Sequence, residues 1–114
     1  MNDRSTNERP VLLLTGLTGA LGCELLPRLL TAFPQHQIIA PVRARDDNEL
    51  IQRIRTVTEF AGLGIVPKDR LMGLRADLTE AKFGLAPVQW DTLAARTQQI
   101  FHLAASVDFD LPLK

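Results

Sequence analysis

Gly16, Gly19 and Gly22 stand at three-residue spacing in the stretch "VLLLTGLTGALG", directly behind an apolar run. Three glycines at a strand-to-helix turn suit the binding of a phosphate. The first turn of a helix leaves N–H groups unpaired and concentrates partial positive charge there. Glycine in the turn lets a pyrophosphate touch backbone, and glycine deeper in the helix lets helix and strand pack closely. The phosphate-loop alternative needs a Gly-Lys-Ser/Thr ending, whereas Gly22 is followed by Cys23 and Glu24. The pattern therefore predicts dinucleotide binding, against the plainer reading that a tight turn uses glycine for geometry alone.

A second chemical signal lies roughly twenty residues further on, where a dinucleotide site reads the adenosine ribose. An acidic residue there accepts hydrogen bonds from both ribose hydroxyls and favours NAD. The sequence has "PVRARDD" instead, with Arg43 at the discriminating position. A guanidinium fork suits a 2′-phosphate, so Arg43 predicts NADP. Arg45 reads as surface charge paired with Asp46 and Asp47, which is also the competing reading of Arg43.

Other chemistries find little support. His36 and His102 lie far apart without ligand-like spacing, and the single Cys23 forms neither an internal disulfide nor a thiolate metal site. No metal site and no catalytic residue are expected. Thirteen basic and thirteen acidic residues cancel, and no basic stripe marks a nucleic-acid or membrane-surface partner. The polar "MNDRSTNERP" lacks the apolar centre of a signal peptide, and no apolar run approaches the roughly twenty residues that span a bilayer. The cytoplasm is the expected compartment.

These residues need positioning elements, and the pattern supplies them. Residues 1–10 read as a disordered polar tail, and 11–114 as a partial dinucleotide-binding domain. "VLLLT" (11–15) has no polar alternation, as in a strand buried on both faces. "ALGCELLPRLLTAF" carries Leu21, Leu25, Leu26, Leu29, Leu30 and Phe33 at helical spacing. Pro27 predicts a kink or a shifted register within it. Strand "QIIAPVR" (37–43) has Pro41 near its end, where proline is best tolerated. An amphipathic helix over 45–63, a short strand within 70–78, a helix over 86–97 with proline in its first turn, and a strand over 98–106 complete the alternation. Only a parallel α/β architecture produces this order. The expected fold is half of a Rossmann-type doubly wound sheet, truncated after the fourth strand, with strand order 3-2-1-4. Its apolar outer strand "IFHLA" predicts edge-to-edge association.

With these residues placed, the chain resembles the extended short-chain dehydrogenase/reductases. Within them it is similar to thioester reductase domains of carboxylic acid reductases, nonribosomal peptide synthetases and fatty acyl-CoA reductases. "LLLTGLTGALG", "PVRARD", "RLMGLRADLTEAKFGLAPVQWDTLA" and "IFHLAASVDF" carry the likeness, and "ADLTEAKFGLAPVQW" is its most specific part. The resemblance implies that Thr18, Gly19, Ala20 and Leu21 line the pyrophosphate turn, which Gly16 shapes and Gly22 completes. It implies that Arg53 joins Arg43 at the 2′-phosphate, that Asp77 and Leu78 flank the adenine, and that Leu103, Ala104 and Ala105 pass the ribose. Plainer readings stand beside these: Arg53 as helix surface near Glu49, Asp77 as a turn cap before Thr79, and Ala104 and Ala105 as tight packing. His102 reads as a packed strand residue, Trp90 as core and Cys23 as an unreactive helix residue. Pro41 and Pro27 depart from the family pattern.

The resemblance also implies a catalytic Tyr-x-x-x-Lys pair, its phenol acting as general acid. This chain contains no tyrosine. The expectation is an NADPH-binding portion of a reductase whose substrate is an acyl thioester on a carrier protein or CoA, inactive by itself. A stand-alone nucleotide-binding module is the alternative. A portion of an NADP-dependent sugar epimerase or ketone reductase is another, which "GLAPVQW" disfavours.

Overall fold

The computed structural model describes residues 9–103. Strand β1 (Val11–Thr15) leads through the glycine turn into helix α1 (Ala20–Ala32), and β2 (Gln37–Val42) leads into α2 (Asp47–Phe60). Strand β3 (Leu71–Arg75) is followed by a single 3-10 turn (Ala81–Gly84), helix α3 (Pro87–Arg96) and β4 (Thr97–His102). The four strands form one sheet in the order β3-β2-β1-β4, and every pairing is parallel. This is the expected strand order, and the 3-10 turn is the one element that apolar periodicity did not signal.

Each face of the sheet has its own apolar layer, because side chains of a strand alternate between faces. Leu12, Leu14, Ile38, Ala40, Val42 and Leu71 meet Leu26 and Leu29 of α1 and Val57 of α2. Val11, Leu13 and Ile39 meet Leu93 of α3 on the opposite side. The sheet is thus wound on both faces. Complete burial of one such leucine contributes about 2–3 kcal/mol, so Leu26 and Leu29 alone hold α1 firmly to the sheet. Every residue of β1 and β2 is buried, which accounts for their unbroken apolar sequence. Outer strand β4 is mostly exposed, with Ile100 at 64%.

Both prolines are accommodated. Helix α1 continues through Pro27 from Ala20 to Ala32. Pro41 lies in a central strand, yet the β1–β2 pairing ends at Leu13 and Ile39. Its missing N–H therefore falls beyond the last rung shared with β1. Arg9 and Pro10, assigned from the sequence to the polar tail, belong to the folded unit. The Pro10 carbonyl accepts from Gln37 N–H at 2.9 Å, and Arg9 donates to the carbonyls of Pro34 and Gln35.

Candidate functional site

The site lies at the carboxyl end of the strands, where β1 hands over to α1. The three glycines act there for three different reasons. Gly16 has φ +84°, a backbone conformation that side chains disfavour, and it turns the chain off the strand. A Cβ on Gly22 would stand 2.2 Å from the Gly16 carbonyl oxygen and 2.7 Å from Leu17 Cα. Gly22 is therefore what lets α1 sit down on the turn. Gly19 is under no such pressure, since its Cβ would meet only the Gly16 oxygen at an ordinary 3.5 Å.

The turn closes through Gly19 N–H donating to Gly16 O at 3.1 Å, and Cys23 N–H donates to Gly19 O at 3.0 Å. Gly19 is the N-cap, no side chain caps the helix, and no acidic residue occupies its first turn. The first-turn N–H groups thus have no side-chain cap, and Thr18, Gly19, Ala20 and Leu21 around them are exposed. Leu17 points the other way and is buried, anchoring the turn. Uncapped amides with the positive end of a helix dipole fit the pyrophosphate of a dinucleotide. Gly22 is itself buried and serves this site through packing.

Two strand ends bring Arg43 and Asp77 together. Arg43 follows β2 directly, its side chain 78% exposed, and its Nε lies 4.0 Å from Asp77 Oδ2. The other carboxylate oxygen, Oδ1, accepts from the Thr79 amide at 3.0 Å and from the Thr79 hydroxyl at 2.6 Å. The turn-cap reading of Asp77 therefore describes its local bonding. Those two bonds, chiefly the hydroxyl, and the Arg43 charge outweigh desolvation and hold the carboxyl below its usual range. A carboxylate offers about four acceptor positions, so Asp77 keeps acceptor capacity toward a neighbouring amine. Leu78 beside it is half-buried.

Arg53 is engaged elsewhere: its Nη2 lies 3.3 Å from Glu49 Oε2, the surface pairing that was its plainer reading. Glu49 also accepts from the Arg45 amide at 2.6 Å and pairs with Arg45 Nε at 3.4 Å. The Arg45 amide is the chief cause of its lowered carboxyl pKa; desolvation opposes it, and both guanidiniums add smaller lowering contributions. Arg45 was expected to pair with Asp46 and Asp47. Asp46 instead caps α2, its Oδ1 accepting from Glu49 N–H at 2.8 Å, while Asp47 lies 3.7 Å from Arg75 Nε. The reason is helical geometry, which sets Glu49 one turn below the loop that carries Arg45.

At the switch point between β1 and β4, Leu103 N–H extends the ladder by donating to Thr15 O at 3.0 Å. Ala104 and Ala105 lie outside the described residues. His102 does not pack as expected: it is exposed, and its Nδ1 lies 2.7 Å from the buried Thr15 hydroxyl. Trp90 lies outside both core layers, half-buried and edge-on to Phe83 at 5.3 Å between ring centres. Cys23 is half-buried against the α1 face of the sheet, its thiol 3.8 Å from Leu17 O.

The family described as "Male sterility protein", a family of NAD-binding domains, matches residues 14–114. The chain belongs to this family. Its match to the male sterility family is joined by likeness to individual reductases. The large subunit of L-2-aminoadipate reductase from Penicillium chrysogenum is 32% identical over 105 residues, covering 90% of this chain and 8% of that protein. Adenylate-forming reductase Nps9 from Serpula lacrymans is 36% identical over 107 residues, covering 92% of this chain and 10% of its own length. The crystal structure of the terminal R domain from the myxalamid PKS-NRPS pathway superposes with a TM-score of 0.74 at 29% identity, covering 92% of this chain and 27% of that one. The chain thus spans a tenth or less of these two relatives and about a quarter of the R domain. The relatives are of the kind that its motifs resemble, and the cofactor class is a nicotinamide dinucleotide. Among the described residues, no helix is long and apolar enough to cross a membrane.

Two features escaped sequence reasoning. Arg75, at the end of β3, donates from Nη1 to the Arg45 carbonyl at 2.8 Å. Only the β2–β3 register reveals this, since thirty residues separate the partners. The loop after β3 also places Lys82 and Phe83 in left-handed backbone at φ 52° and 60°. Phe83 O accepts from Asp77 N–H at 2.9 Å, closing that loop over the site's edge. The Gly84 that follows was the one local signal.

Proposed function

We propose that this chain is the NADP(H)-binding portion of a reductase acting on acyl thioesters held by a carrier protein or CoA. The observation that carries the reading is the uncapped glycine turn with Arg43 at the neighbouring strand end. In this reading Gly16, Thr18, Gly19, Ala20 and Leu21 hold the pyrophosphate through backbone amides, and Gly22 keeps the helix close enough to present them. Arg43, mostly exposed and only loosely paired, turns to the 2′-phosphate, where charge-assisted bonds are stronger than its 4.0 Å contact with Asp77. Arg53 joins it by leaving Glu49. Asp77 and Leu78 bound the adenine, and Leu103, with Ala104 and Ala105, borders the ribose. When bound, the nicotinamide supplies a hydride to the thioester carbonyl. The name of one relative, a putative fatty acyl-CoA reductase of Drosophila melanogaster 30% identical over 105 residues, supports this substrate class.

A sequence without tyrosine lacks the phenol that the resemblance assigns as proton donor. The polypeptide by itself therefore binds cofactor without turning it over, and its single cysteine suits a reducing compartment such as the cytoplasm. Titration of the purified chain with NADPH and with NADH tests the reading. NADPH is expected to bind about 10–100-fold more tightly, the worth of one or two charge-assisted hydrogen bonds, and Arg43→Ala to abolish the difference. Equal binding of the two, or none, overturns it.

A further inference from the structure

The loop that carries Arg43 is built from below by the segment that leaves β3. Val42 and Arg75 face each other across the β2–β3 register. Immediately beyond, Ala76 N–H donates to the Val42 carbonyl at 3.1 Å, so the two chains stay joined up to the residue before Arg43. Asp77 then faces the Arg43 guanidinium at 4.0 Å. Arg75 reaches further and donates to the carbonyl of Arg45 at 2.8 Å, on the far side of Arg43. Residues 42–45 are thus gripped at both ends by three consecutive residues, 75–77.

From this geometry we infer that Arg75 is a positioning residue for cofactor selectivity: it holds the loop so that Arg43 meets the 2′-phosphate of the dinucleotide. The inference rests on the NADP reading above. Arg75 bonds the Arg45 carbonyl and not the Asp77 carboxylate, so the exchange of Asp77 for the cofactor by Arg43 does not itself break the Arg75 grip. The second partner of Arg75 is of a different kind. Its contact with Asp47 is a 3.7 Å ion pair with a carboxylate that is 85% exposed, and such pairs contribute little. The hydrogen bond to Arg45, not the ion pair, is the working part.

The strand register shows why Arg43 needs outside support. It sits one residue past the end of β2, where the ladder to β1 has already stopped at Leu13 and Ile39. Among the described residues the β1 register does not extend there, so the β3 side sets the direction in which Arg43 leaves the sheet.

The test uses the 114-residue chain, with NADPH and NADH as probes in matched fluorescence titrations, and thermal melting to verify folding. Arg75→Met keeps the aliphatic stem and removes every donor. It is expected to weaken NADPH about fivefold, a typical worth of one hydrogen bond, and to leave NADH unchanged. Asp47→Asn removes the ion pair alone and is expected to change neither. Equal weakening of both cofactors by Arg75→Met, or an unchanged preference in a folded variant, overturns the positioning role. A preference lost equally in Asp47→Asn overturns it too, since the ion pair would then be the working part. Wild-type chain that does not distinguish the two cofactors defeats the NADP reading itself, and the inference with it. Wild-type preference that Arg43→Ala abolishes but Arg75→Met leaves intact sinks only the inference.

Discussion

Arginines at the two ends of the sheet keep different company. At the amino end, Arg70 donates to the carbonyls of Leu30, Phe33 and His36 at 2.8–3.1 Å. There Arg96 donates to Arg9 O and to Gln37 Oε1, both at 2.9 Å. These groups are half-buried, and their partners are mostly backbone. At the carboxyl end Arg43, Arg45 and Arg53 are more exposed and face carboxylates at 3.3–4.0 Å. Carbonyl partners are permanent, because an unpaired buried carbonyl costs the full loss of its hydration. Carboxylate partners in solvent are exchangeable, because water and other anions replace them at little cost. One end is stapled to backbone, and at the other the arginines keep exchangeable partners. Arg75 joins the two behaviours at the carboxyl end, with a carbonyl on one nitrogen and a carboxylate near another, as Arg9 does at the amino end with Pro34 O, Gln35 O and Asp69.

The largest expected effect comes from breaking the carboxyl end at its backbone. Gly22→Ala drives a Cβ into the Gly16 carbonyl at 2.2 Å. It should cost about 3 kcal/mol or more of stability by denaturant titration and abolish dinucleotide binding; a folded variant with normal binding would deny Gly22 its packing role. Next in size, Arg70→Ala strips three carbonyls of their donor at the amino end. Loss of about 2–3 kcal/mol is expected, with the NADPH-to-NADH preference unchanged. Should that preference shift, the division between a stapled end and a binding end fails.

The smallest effect sharpens the same comparison through pH. Folding lowers the carboxyl pKa of Glu49 and of Asp77. Each therefore adds stability that is fully present above its unfolded value, near 4.5 and 3.8, and is lost as pH falls through the lower folded value. Melting temperature followed from pH 6 to pH 3 should fall less steeply in Glu49→Gln than in wild type. Superimposable slopes would mean that the Arg45 amide and the two guanidiniums contribute nothing through Glu49. Both side chains are partly open to solvent, 25% for Glu49 and 33% for Asp77, so the difference in slope is expected to be modest.

Much of the fold was legible because its signals are local. The apolar runs of β1 and β2 reported burial on both faces, and "ALGCELLPRLL" reported a helix despite Pro27, because the stripe of leucines continues through it. The glycine turn was legible as a tight strand-to-helix turn for the same reason: φ at Gly16 and clearance at Gly22 are properties of neighbouring residues. Trp90 was misjudged as core because size and apolarity do not say which layer a residue joins. His102 was misjudged as packed because β4 is an outer strand whose faces are largely uncovered. Asp77 carried two readings at once, and its geometry includes a Thr79 turn bond and an Arg43 contact on separate oxygens.

The amino-acid sequence by itself determined the alternation of strands and helices, the place of the glycine turn and the presence of a guanidinium just past the end of β2. Each depends on residues within about one turn or one strand of one another. Tertiary structure decided which arginine meets which partner. Arg53 met Glu49 on its own helix, but Arg70 reached carbonyls 34 to 40 residues away and Arg75 one 30 residues away. Such choices follow from strand register and helix docking, which depend on the whole core and leave no mark in the local pattern.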